Sequence, residues 1–137
     1  MSEWRGTTNF TWRNAAWSAG LSAYYIGPYA DSLATTSAAL YDSLGRPSYI
    51  IEQYTGNTNV YRYKVEEVLY FNGFGSYHIE RDSGSWAADS TIRVGVINAT
   101  DEEPPVSSGN FGFGYSGSVH GALVAGRTFT IEYSKRF

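Results

Sequence analysis

Cysteine is absent from the chain, which excludes both a disulfide framework and a thiolate metal site. A basic excess is absent as well. Ten Lys and Arg stand against 13 Asp and Glu, a formal net charge of -3, and no basic patch points to nucleic acid. There is no run of roughly 18 apolar residues, so no transmembrane helix is expected. A β-barrel stays open as an option, because a barrel strand needs only about 9–11 residues and half of them face a polar interior. The opening MSEWRGTTNF lacks a basic segment followed by an apolar core and so does not read as a signal peptide. An exported form is expected to carry its signal outside these residues. With 137 residues, the length suits one domain.

Aromatics and glycine are plentiful: Phe, Trp and Tyr make up 17% of the chain, with 12 Tyr, 4 Trp and 15 Gly. That mixture suits strands whose aromatics sit at an interface and whose glycines relieve crowding. The stretch GRTFTIEYSKRF, residues 126–137, puts Phe129, Ile131, Tyr133 and Phe137 on one face and Thr128, Thr130, Glu132, Ser134 and Arg136 on the other. Apolar residues toward lipid, polar residues toward a lumen and an aromatic at the interface are the pattern of an outer-membrane barrel strand. The same alternation fits a half-buried edge strand of a soluble sandwich.

Further strands are expected at residues 5–12, 16–26, 60–79 and 90–97. In the second of these, Trp17, Ala19, Leu21, Ala23 and Tyr25 share one face, with aromatics near both ends. In the third, Leu69, Phe71, Tyr77 and Ile79 share a face with Gly73 and Gly75, and Glu66-Glu67 interrupts the alternation as a bulge or a projecting stretch. In the last, Arg93 lies opposite the stripe Ile92, Val94, Val96, a placement that suits a wet wall better than a dry core. Short turns fall near Arg13 and Arg81. Residues 27–59 and 98–125 read as two long loops, the first holding a short helix within residues 32–44 capped by Asp31 or Ser32. The expected fold is all-β: an antiparallel up-and-down segment of a transmembrane β-barrel, with about five strands and two long extracellular loops. A single YDSLGR stretch at the spacing of a YD repeat does not make a repeat array.

No catalytic residue, cofactor site or metal site is expected, and the chain does not read as an enzyme. His78 and His120 have no evident Ser or Cys partner, and no carboxylate pair stands out. His78 reads as a polar wall residue. Asp101, Glu102 and Glu103 lack the spaced oxygens and turning glycine of a calcium loop, and read as a solvated acidic turn. Candidate ligand contacts are the loop aromatics Tyr29, Tyr41, Tyr54, Phe111, Phe113 and Tyr115, whose rings can stack on planar groups or can pack the loops together.

Three stretches in order, WRGTTNFTWRNAAWSAGLSAYYIGPYAD, RVGVINATDEEPP and GRTFTIEYSKRF, resemble the C-terminal part of the β-barrel of TonB-dependent outer-membrane receptors. Asn98, Asp101, Pro104 and Pro105 match that family's Asn-Asn-Leu-Phe-Asp stretch before Pro, with Asn-Ala-Thr in place of the usual Asn-Leu-Phe. The resemblance implies a place in the bacterial outer membrane and energised uptake of a scarce nutrient such as an iron–siderophore complex. Implied partners are membrane lipid, the remaining barrel strands, the plug domain and, through that plug, the TonB protein. No plug is present here, so the piece is not expected to transport alone. The strand carrying Phe129, Ile131, Tyr133 and Phe137 is similar to the signal read by the barrel assembly machinery. The competing expectations are a small soluble β-sandwich that binds ligands in the manner of a lectin, and a structural protein of a virion.

Overall fold

The computed structural model describes residues 4–81, 84, 86–107 and 114–136. Alternating polar and apolar residues form eight strands: β1 (Arg5–Asn14), β2 (Trp17–Ile26), β3 (Tyr29–Thr35), β4 (Ile50–Thr55), β5 (Thr58–Val65), β6 (Val68–Ile79), β7 (Ser90–Ile97) and β8 (Thr128–Lys135). They build a five-stranded sheet in the order β1-β2-β6-β7-β8 and a three-stranded sheet in the order β3-β5-β4. The chain divides into two units. One, the sheet unit, comprises Gly6–Tyr24, Leu69–Glu103 and Ala125–Phe137; the other, the loop unit, comprises Met1–Arg5, Tyr25–Val68 and Pro104–Val124.

In the sheet unit, register decides which side chains share a face. Ile92 pairs with Tyr77 and Tyr133, Val94 with Gly75 and Ile131, and Val96 with Gly73 and Phe129. Directly paired residues point the same way, so these side chains form one apolar face. Trp17 extends it, its ring 4.5 Å from that of Tyr77. The opposite face is polar. Ser18 and Ser76 hydroxyls meet at 2.6 Å, and Ser22 donates to Asn9 Oδ1 at 2.7 Å. Contacts between β2 and β6 descend in register, from Ala16 with His78, through Ser18 with Ser76, to Tyr24 with Tyr70, so the pair is antiparallel. The sheet does not close into a barrel among the described residues: β1 and β8 are its edges.

The loop unit departs most from the sequence expectation. Residues 27–59 are not an irregular loop; they carry β3, β4 and a helix α1 (Ala38–Ser43), and β3 and β4 both pair with β5. The helix is six residues long rather than spanning 32–44, and its cap is Ser37, whose hydroxyl accepts the Leu40 N–H at 3.2 Å. Asp31 and Ser32 lie in β3 instead. The reason is local. The β-branched Thr35 favours strand over helix, and helical backbone starts only once a serine can cap it. The expected strand at 60–79 splits at Glu66-Glu67 into β5 and β6, which belong to different sheets. Ile50, Tyr61, Val65, Val68 and Leu123 are the buried apolar residues of this unit. Between Pro104 and Val124 lie a helical turn α2 (Gly117–His120) and a 3-10 turn, Gly121–Leu123. Among the described residues no helix is long and apolar enough to cross a membrane.

Candidate functional site

Both stretches expected as extracellular loops contribute to the loop unit, and their side chains meet. Ser107 donates to Asp31 Oδ2 at 2.7 Å. The Tyr29 and His120 rings stack at 6.1 Å with 14° between their planes. His120 is buried, and neither ring nitrogen has a hydrogen-bond partner among the described residues. Burial, and then the Arg5 guanidinium, push its pKa below the ordinary imidazole value, because a second cation in a dry site is disfavoured. Burial likewise raises the Tyr29 hydroxyl, with the Ser116 hydroxyl opposing. The ring is therefore neutral at physiological pH.

The candidate ligand aromatics separate into distinct roles. Tyr41 is committed to internal packing: its ring lies 4.5 Å from that of Tyr61, a buried residue. Tyr29 is held against His120. Tyr115 anchors a bridge to Val106. Tyr54, on β4, stays exposed to solvent. Phe111 and Phe113 lie outside the described residues, as does Phe137 of the terminal strand. Phe129, Ile131 and Tyr133, the rest of the expected assembly-signal strand, project from β8 as exposed residues.

The polar face of the sheet unit is the second place where chemistry gathers. His78 sits there as the sequence indicates, its Nδ1 3.1 Å from Thr91 Oγ1. At the turn end, Asp89 takes a hydrogen bond from Arg81 at 2.8 Å, and this guanidinium holds the carboxyl below its usual range. Higher on the same face Arg93 lies over the Phe74 ring, 4.0 Å from its centroid. A shallow recess of about 190 Å³ borders them, lined by Ser22, Asn72 and Thr130 among others.

Where β7 ends, Asn98 is buried and organises the following turn. Its backbone N–H donates to Asn72 Oδ1 at 2.9 Å, its Nδ2 donates to the Glu102 carbonyl and its Oδ1 accepts the Glu102 N–H. Asn98 (φ 53°) and Asp101 (φ 58°) both adopt left-handed backbone, which Asn and Asp tolerate better than most residues. Asp101 Oδ1 accepts the Arg127 N–H at 2.9 Å, tying this turn to the start of β8. The acidic run is thus used for local structure, and no group of three or more metal-ligating residues occurs among the described residues.

Sequence reasoning missed three features: the Asn98 network as a buried cap, the His120–Tyr29 stack, and the Arg93–Phe74 pair. A signal for the last was present, since Phe74 is a large aromatic set between Asn72 and Ser76 on the polar parity of its strand. No protein-family model matches the chain, and no curated protein or solved structure does so either.

Proposed function

We propose that the chain forms part of the wall of an outer-membrane β-barrel, of the kind found in TonB-dependent receptors, and serves nutrient uptake as one section of that receptor. One observation carries this reading. The apolar face of the five-stranded sheet is open: Trp17 is 57% exposed, Leu21 49%, Val94 48% and Ile131 80%. A water-soluble protein rarely leaves so continuous an apolar surface uncovered, since burying each such side chain is worth about 1.5–3 kcal/mol. Lipid tails satisfy the same surface without a second sheet. A soluble sandwich has to cover these residues with a second layer, so their exposure supports the membrane reading.

The reading also accounts for the polar face, with its serines, threonines, Arg93 and His78, as a wall facing water. The unpaired edges of β1 and β8 are expensive in lipid, at several kcal/mol per buried unpaired backbone group, so the sheet functions with further strands beside it. The loop unit, with Tyr54 on its surface and both connecting segments brought together, is the part expected to meet solute outside the membrane.

Single cysteines test the assignment cleanly, because the chain has none of its own. Cysteine is placed at Val94, Ile131, Arg93 or Thr130 and the chain is refolded into phospholipid vesicles. A membrane-impermeant maleimide is expected to label positions 93 and 130 once the vesicles are opened and to spare 94 and 131. Equal labelling of neighbouring positions sinks the proposal.

A further inference from the structure

Arg93 occupies a setting that a wall-lining charge does not require. Its cross-strand neighbour is Glu132, yet no described carboxylate lies within ion-pair distance of it. The guanidinium rests instead on the Phe74 ring. That ring can lie across β2 only because position 20 is glycine, where a Cβ would collide with it. Gly95 does the same for the Thr130 hydroxyl, which sits in the space its side chain would fill. These two missing side chains seat Phe74 and Thr130 close to the sheet, at the edge of the recess beside Arg93.

An arginine laid on a ring keeps one plane fixed while its N–H edge stays available, the arrangement that suits a forked, two-bond grip on a planar oxyanion. Two neighbours add to it. The Thr130 hydroxyl borders the recess, and so does Asn72. The Asn72 carbonyl oxygen already accepts the Asn98 N–H, which leaves its amide nitrogen as the donating end. The geometry points to a carboxylate-binding subsite on the polar face of the sheet, with Arg93 as the forked donor, Phe74 as the platform that sets its plane, and Thr130 and Asn72 as flanking donors. The recess accommodates a carboxylate with a few carbon atoms, so the ligand is a small organic acid or the acidic end of a larger solute. The inference does not depend on the surroundings of the apolar face and stands if the membrane reading falls.

The test is a titration of the full chain, refolded in detergent micelles, with succinate at constant ionic strength. Side-chain NMR signals of Arg93 Nε–H and the Asn72 amide are followed. A saturable, millimolar response confined to these groups is expected. Arg93→Lys keeps the charge but loses the fork and is expected to weaken binding about tenfold. Gly20→Ala leaves every donor in place, lifts Phe74 and is expected to raise the dissociation constant about threefold. Phe74→Leu, which keeps Gly20 and removes the platform, gives the same reading if the alanine variant does not fold. An identical response to chloride, a linear response to succinate, or wild-type binding by Arg93→Lys overturns the proposal.

Discussion

The loop unit and the sheet unit distribute the same kinds of side chain in opposite ways. In the loop unit Ile50, Tyr61, Val65 and Leu123 are buried, as in any water-soluble core. In the sheet unit the most deeply buried residues are Ser90 and Asn98, while Trp17, Val94, Phe129 and Ile131 are open. Composition does not explain the contrast, since both units are rich in aromatics and serine. What differs is where each places its apolar face. The loop unit folds a three-stranded sheet with a helix and two helical turns around a small buried cluster, with Leu33, Leu40, Leu44 and Tyr54 left outside it. The sheet unit presents a layer with one apolar side, on which Trp17, Val94, Phe129 and Ile131 are exposed.

The comparison can be broken or sharpened by substitution. The largest effect is expected at Leu123. Leu123→Ala leaves a cavity in the loop unit and costs about 2–5 kcal/mol. Hydrogen exchange should then accelerate in β3, β4 and β5 while β7 and β8 keep their protection. Uniform acceleration contradicts two separate units. Next comes Val94→Arg, expected to cost about 2–4 kcal/mol in a bilayer, against less than about 0.5 kcal/mol for Thr130→Lys on the polar face. Urea unfolding from vesicles measures both, and equal costs remove the distinction between the faces.

A smaller loss is expected at Asn98. Asn98→Ala strands the Glu102 N–H and its carbonyl, at about 1–3 kcal/mol, and should loosen the turn that Asp101 ties to β8. Exchange at the Arg127 amide reports that loosening directly; an unchanged rate there rules it out. The smallest effect is a dependence on pH confined to the loop unit. His120 is held neutral, with its folded pKa below the unfolded value of about 6.5. Above that value both states are neutral and the stability is fully present. As pH falls below it the unfolded chain takes up the proton first, and stability declines until the depressed folded pKa is reached. Arg5, Tyr29 and nearby Asp31 are the charged and titratable groups to hold in view. His120→Gln should flatten the slope between pH 7 and the depressed value; an unaltered slope assigns the dependence elsewhere.

Four of the five strands of the large sheet were legible from a two-residue alternation, whereas β6 was read as one strand with β5 across Glu66-Glu67. Ile92, Val94 and Val96 opposite Arg93, or Phe129, Ile131 and Tyr133 opposite Thr130, leave little freedom of reading. The loop unit was not legible for the converse reason. Tyr29–Thr35 mixes apolar and polar residues without a clean period, and its partner β5 lies across a helix and β4 in sequence. Pairing at that distance is decided by tertiary packing rather than by local pattern. Of the candidate site, the polar placement of Arg93 and His78 could be read from parity alone. The commitment of Tyr41 to Tyr61 and of Tyr29 to His120 could not, because an aromatic in a loop looks the same whether it stacks inward or waits for a solute.

The parity of the sheet's strand count has an arithmetical outcome. With five strands in alternating directions, β1 and β8 run the same way. Identical copies joined side by side in one orientation would therefore meet in a parallel seam at every junction. Any cylinder that includes this layer and keeps all neighbours antiparallel must draw an odd number of additional strands from elsewhere, giving the even total usual for such proteins. Self-assembly of copies in a single orientation cannot supply that complement without breaking the alternation.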